Sequence, residues 1–195
     1  METFLSICIG LGLSAACGFR VFVPMFFVSV AASTGHLTLA PTFQWLGTDA
    51  ALIIFGVATV LEVGAFYIPW LDNFLDTLAT PAAIVAGTIL TAAMVTGMSP
   101  VLKWTLAVIA GGGIAGTIQA GTALGRGAST LASGGLTNPL YATVELGGSV
   151  LTSAAAVFVP LLVVIIIPTS AGLLYWRWRR LKNRPNQAKP QPSAS

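Results

Sequence analysis

Charge is what this chain has least of. Charged residues make up 8% of its 195 positions, six acids and nine bases, against roughly a quarter in soluble domains. So few ionic groups cannot solvate the surface of a water-soluble globule this size, and the soluble classes are excluded. The chain has a single histidine, His36, and two cysteines, Cys8 and Cys17. It contains no His-Glu-x-x-His and no Cys-x-x-Cys, so neither metal hydrolysis nor thiol redox chemistry has its residues here. His36 reads as a solvated loop residue, and the cysteines read as small packing residues in an apolar segment. The run Gly111-Gly112-Gly113 has no strand pattern before it and no Lys-Ser/Thr after it, which excludes a phosphate loop and leaves close helix approach. No catalytic set, metal or cofactor is expected, and the chain is not read as an enzyme. Six of the nine bases lie between Arg177 and Lys189, so the net charge of +3 belongs to the tail and does not indicate nucleic acid.

What is present is hydrophobic: 55% of residues, with a mean hydropathy of +0.87. The expected fold class is all-α, a polytopic transmembrane helix bundle. Candidate spans are 3–19, 17–34, 50–69, 81–98, 101–123 and 139–167, which makes six helices, or five if 17–34 does not cross. Residues 21–34 are short of the roughly 20 that a span requires, so 17–34 is either a tilted span or a re-entrant hairpin. The N-terminus lacks the basic region of a cleavable signal peptide and is kept as the first span. Gly35–Asp49 reads as a loop at the headgroup boundary. Gly125–Asn138 reads as a small, polar, flexible stretch that could form an ordered re-entrant loop. Residues 146–176 carry no charge and exceed one crossing, so Pro160 or Pro168 is expected to break the last helix. The domain plan is a helical membrane domain over 1–176 and a basic, then disordered, tail over 177–195. By the positive-inside rule the tail is cytoplasmic, in a multi-pass protein of the cell inner membrane.

Charges inside apolar helices need partners, because an ionised group in hydrocarbon costs on the order of a few kcal/mol. Glu62, near the end of the third span, and Glu145, two turns into the last, are therefore expected to meet cations, with Arg20–Glu62 and Arg126–Glu145 as the pairs. After Pro69, the spacing of Trp70, Leu71, Phe74, Leu75 and Leu78 against Asp72, Asn73 and Asp76 predicts a short amphipathic helix lying on the bilayer surface. In the six-span arrangement Arg20, Asp72, Asp76 and Arg126 share the outer side, with Asn138 in a nearby loop. Two similar words, Ala58-Thr-Val-Leu-Glu62 and Ala142-Thr-Val-Glu145, each follow a Gly-rich helix ending at an arginine and suggest a weak internal repeat.

Several of these residues also resemble a family of small bacterial membrane proteins catalogued as a domain of unknown function. The likeness is carried by Gly18-Phe-Arg20 with Pro24, Trp45-Leu-Gly47, Leu61-Glu62, Ile68-Pro-Trp-Leu-Asp72 with Asp76, Thr80-Pro81, Gly87, and Gly134-Gly-Leu-Thr-Asn138-Pro139 before Glu145. It covers residues 1 to about 167. The resemblance implies the architecture and no activity. It also implies further acids where this chain has Phe66 and Leu146, so a full acidic cluster of the kind a divalent cation needs is not expected.

Two functions follow from these residues. In one, the chain is a small transporter or channel whose polar path is lined by Glu62, Glu145, Arg20 and Arg126, and protons or organic solutes suit it better than a metal ion. In the other, the same residues are structural ion pairs of a membrane scaffold that binds lipid or a partner. The expected partners are membrane lipids and either further copies of the chain or another membrane protein.

Overall fold

A computed structural model of the chain describes residues 2–65, 68–134 and 136–160 with Thr169, Trp176, Arg179 and Arg180, and describes Pro69–Asp76 through the backbone alone. Phe66, the break expected at Pro168 and, in the basic tail, residues 177, 178 and 181–195 lie outside the described residues.

Among the described residues there are seven α-helices and no strand: α1 (Glu2–Cys17), α2 (Phe22–Ser33), α3 (Asp49–Ala65), α4 (Pro69–Met94), α5 (Pro100–Leu106), α6 (Gly113–Ser133) and α7 (Asn138–Phe158). A 3₁₀ turn over Pro41–Gly47 precedes α3, and a π-helical turn over Ala107–Gly112 joins α5 to α6. Three helical stretches are long and apolar enough to cross a membrane: Thr77–Met94, the rod Pro100–Ser133 and Asn138–Phe158. A fourth arises if the 3₁₀ turn and α3, bent by 63°, form one span. The helix α1 is about 24 Å long and α2 about 18 Å at 1.5 Å per residue.

The chain runs back and forth between two ends of the bundle. At one end lie Gly18–Val21, where α1 turns into α2, the start of α4, and the turn from α6 to α7. At the other lie Thr3, within reach of Gly97, and Phe158, whose ring meets Phe27 edge-on at 6.4 Å. Here α1 is central and packs against α4, α7, α6 and α2.

On α7 the side-chain distribution is the reverse of that on a helix of a soluble bundle. The inward face of α7 is Ala142, Glu145, Ser149, Ser153 and Ala156, while Leu140, Val144, Leu151 and Phe158 point outward and are exposed. The helix α3 turns Ile53, Ile54, Val57, Val60 and Leu61 outward as well. An apolar outer face on a helix is stable when the surroundings are hydrocarbon, because water no longer rewards burying it.

Without that reward, helices are held by close approach and by hydrogen bonds between them. A Cβ on Gly87 would lie 2.6 Å from Ala115 Cβ, and one on Gly18 would lie 2.8 Å from the Ala115 carbonyl oxygen, so only glycine lets α4 and α1 sit this close to α6. Between α1 and α4, Ser14 Oγ donates to Gly87 O at 2.6 Å and lies 2.7 Å from Thr91 Oγ1, which reaches Gly10 O at 3.2 Å.

Four expectations are corrected. The helix expected over 17–34 is broken: α1 ends at Cys17, and α2 is a separate helix of 12 residues. The surface helix after Pro69 and the span from Pro81 are one helix, α4, with Pro81 inside it. Proline forfeits one backbone bond there, which membrane helices tolerate where neighbouring groups satisfy the freed carbonyl. Residues 125–133 are helical and continue α6 to Ser133, so the flexible or re-entrant stretch shrinks to the turn before Asn138. Serine in this stretch bonds back into its own helix, as Ser133 Oγ does to Ser129 O at 2.8 Å, and so does not break it. The repeat is not carried by the arrangement either, because Glu62 lies near the C-terminal end of α3 and Glu145 near the N-terminal end of α7.

Candidate functional site

The turn between α1 and α2 sets Arg20 at one end of the bundle. The turn between α6 and α7 brings Arg126 and Glu145 to the same end. A network of hydroxyls and one amide fixes that second turn. Ser129 Oγ meets Thr137 Oγ1, Ser133 Oγ lies 2.9 Å from Thr137 Oγ1, and Asn138 Nδ2 donates to Thr130 Oγ1 at 3.1 Å. Asn138 is therefore a latch on the first residue of α7, holding the inward faces of α6 and α7 opposite each other.

On those faces one carboxylate is shared by two guanidinium groups. Arg126 Nε lies 3.1 Å from Glu145 Oε1, and Arg20 Nη2 lies 3.5 Å from Glu145 Oε2. Arg20 Nη2 also donates to Ala142 O at 3.0 Å, one turn before Glu145. The three residues are 2%, 2% and 3% exposed, so they are sealed from the outside of the bundle. Next to them, Ser149 Oγ donates to Ala16 O at 3.1 Å and ties α7 to α1 just below Arg20.

Glu62 does something different. Its Oε1 accepts the Val21 N–H at 2.8 Å and its Oε2 accepts the Phe22 N–H at 3.0 Å. The first N–H groups of a helix have no partner within it. Val21, at the N-cap of α2, has no side-chain oxygen to offer. Glu62 supplies the cap from α3, with a charge that suits the positive end of the helix dipole. Arg20 also acts on Glu62 electrostatically, but the ion pairs of the site are those of Glu145. The expected pair Arg126–Glu145 is present; the expected contact of Arg20 is made with Glu145, and Glu62 is engaged by backbone. The backbone places Asp72 and Asp76 in the first part of α4, at the same end of the bundle, and their side chains lie outside the described residues.

Two inward residues were not singled out from sequence. Gln119 is 2% exposed on α6, seven residues before Arg126, and its Nε2 has no hydrogen-bond partner among the described residues. Ser153 is fully buried on α7, eight residues after Glu145, and its Oγ is likewise without a partner there. Along their own helices, Gln119 stands about 10 Å from Arg126 and Ser153 about 12 Å from Glu145. The spacing Glu145, Ser149, Ser153 at i, i+4, i+8 was the legible signal, and Gln119 was hidden in a glycine-rich segment.

Among the described residues, no three His, Cys, Asp or Glu side chains gather as metal ligands. The charged residues gather instead as two arginines to one glutamate. This arrangement holds charge inside the bundle.

No curated protein and no solved structure matches the chain. A family model does match, described as Domain of unknown function (DUF4126), over residues 7–180. That match runs from within α1 through α7 and includes Arg20, Glu62, Arg126 and Glu145, and the chain belongs to the DUF4126 family.

Proposed function

We propose that the chain is a small multi-pass transporter or channel, in which Arg20, Arg126 and Glu145 form the mouth of a polar path that continues inward past Gln119 and Ser153. One observation carries this reading: deeper in the bundle than a buried ionic triad, α6 and α7 each bury a polar atom without a hydrogen-bond partner among the described residues, Gln119 Nε2 and Ser153 Oγ. A buried polar group left unmatched costs about 1–3 kcal/mol, and intramembrane polar residues mark solute or ion routes. Glu62 stands outside the path as the cap of α2. The location follows the sequence: the cell inner membrane, with the basic tail after Trp176 on the cytoplasmic side.

The path is closed in the conformation described, so water-soluble reagents reach it only when the bundle opens. Single cysteines at Gln119, Ser153 and the outward Leu151, in a background with Cys8→Ala and Cys17→Ala, test this in native membranes. Cysteines at 119 and 153 react with a charged methanethiosulfonate and the one at 151 does not. If 119 and 153 are as inert as 151, the path reading fails. The second reading is a scaffold with partner or lipid binding, in which the triad only fixes helix register. The bonds of Arg20 to Ala142 O and of Ser149 to Ala16 O favour it, since both tie α7 to the end of α1. Inert cysteines at 119 and 153 would move the assignment there.

A further inference from the structure

The placing of charge along the chain also selects what the path carries. We infer that its solute is a small uncharged molecule with hydroxyl or amide groups, passed inward along Gln119, Ser153 and Ser29; this rests on the path reading above and names its substrate class.

Two independent observations carry the inference, and the first is in the sequence. No Asp, Glu, Lys or Arg occurs in residues 3–19, 21–35, 77–102, 104–125 or 146–176. These stretches hold α1 after its first residue, all of α2, α4 from Thr77 on, and the parts of α6 and α7 inward of Arg126 and Glu145. Inward of the triad, these helices therefore bring no charged side chain to the interior. An ion entering there leaves water for surroundings without a counter-charge, which a low-dielectric interior penalises heavily.

The second observation is in the structure. Gln119 on α6, Ser153 on α7 and Ser29 on α2 are buried, and Gln119 Nε2, Ser153 Oγ and Ser29 Oγ have no hydrogen-bond partner among the described residues. The central helix α1 orders the first two. Ile118 packs against Gly18, just past the end of α1, and Gln119 follows it. Ser149 donates to Ala16 O, and Ser153 stands one turn further in on α7. Ser29 lies about 10 Å along α2 from Phe22, and α2 packs against both α1 and α7.

All three groups are neutral. A hydroxyl donates and accepts, and the amide N–H donates. A molecule bearing hydroxyl or amide groups matches each of them and relieves the cost of leaving them unmatched. An apolar solute relieves none of it, and an ion gains a few dipoles in exchange for its hydration. The triad is not asked to bind this solute, and Glu145 keeps its contacts with Arg126 and Arg20.

Permeability of sealed liposomes containing purified full-length protein tests the inference. Glycerol and urea are the uncharged probes, followed by stopped-flow light scattering under an inward gradient, and radioactive rubidium and chloride are the ionic ones. Glycerol or urea enters faster than into empty liposomes, while rubidium and chloride enter at the empty-liposome rate. Gln119→Leu and Ser153→Ala each lower glycerol and urea permeability by about two- to tenfold, the effect of one lost hydrogen bond. Gln119→Leu keeps the side-chain volume and removes an unmatched donor, so its thermal midpoint is unchanged or higher and its lower permeability is not a folding defect. Leu151→Ala, on the outer face of α7, leaves permeability unchanged.

Rubidium or chloride flux above that of empty liposomes overturns the inference and leaves the path standing. Glycerol and urea permeability that Gln119→Leu and Ser153→Ala both leave unchanged overturns the proposed route. Labelled cysteines at 119 and 153 without faster glycerol or urea entry overturn the inference alone. Empty-liposome rates for every probe, together with inert cysteines, overturn both.

Discussion

Glu145 is the hub of the buried cluster, and its neutralisation is the perturbation with the clearest expected size. Glu145→Gln keeps volume and one acceptor oxygen but removes a negative charge that Arg126 and Arg20 share at 3.1 and 3.5 Å. Removing one partner of a buried ion pair costs about 3–5 kcal/mol, because the remaining charge is left in a medium that cannot solvate it. For a chain of 150–250 residues each kcal/mol moves the thermal midpoint by about 2–4 °C, so a fall of about 6–20 °C is expected in detergent micelles. Arg126→Gln is the control. It leaves Arg20 beside Glu145, so the carboxylate keeps a cation, and it costs less than Glu145→Gln. In Glu145→Gln with Arg126→Gln the losses do not add, and the coupling lies at about 0.5–3 kcal/mol. The assay is thermal unfolding of purified protein, followed by near-ultraviolet circular dichroism or by size-exclusion after heating. If Glu145→Gln costs no more than Arg126→Gln, or if the two losses simply add, the carboxylate is not shared and the cluster does not exist as described.

Further predictions concern the fold. Glu62→Ala strips the cap from α2 and leaves two N–H groups without their acceptor, at about 1–3 kcal/mol, while Glu62→Gln retains one acceptor and costs about half as much; hydrogen exchange at Val21 and Phe22 accelerates accordingly. Gly87→Ala places a methyl group 2.6 Å from Ala115 Cβ and destabilises by about 1–3 kcal/mol. Gly113→Ala and Gly121→Ala meet open space and leave the stability unchanged or raise it by up to about 1 kcal/mol of helix propensity. Ser14→Ala removes the bonds to Gly87 O and Thr91 and costs about 0.6–2 kcal/mol, read from the same unfolding curves.

How far the sequence reached depends on what kind of partner each residue takes. The bundle was legible because few charges and long apolar runs leave no other class. The pair Arg126–Glu145 was legible because both residues interrupt apolar helices joined by a short connection. The partner of Glu62 was not, because it is backbone. Two N–H groups become acceptor-seeking only because α2 begins afresh at Phe22, and the composition of 17–34 does not reveal that break. The end of α6 was hidden for a related reason: glycine, serine and threonine have weak helix propensity, and the side-chain bonds that hold 129–138 together join residues eight or nine apart across a turn. Pro81 misled because proline marks helix starts in water, whereas in α4 it sits inside the helix.

The most direct measurement is a charge exchange between Arg126 and Glu145, read as the yield and thermal midpoint of folded protein in membranes. Arg126→Glu alone puts two acids against Arg20, and Glu145→Arg alone gathers three guanidiniums, so each single reversal collapses the yield. The double exchange again places one acid between two arginines, and the yield and midpoint recover most of the wild-type values. A double exchange no better than the worse single reversal would contradict the shared carboxylate and with it the proposed path.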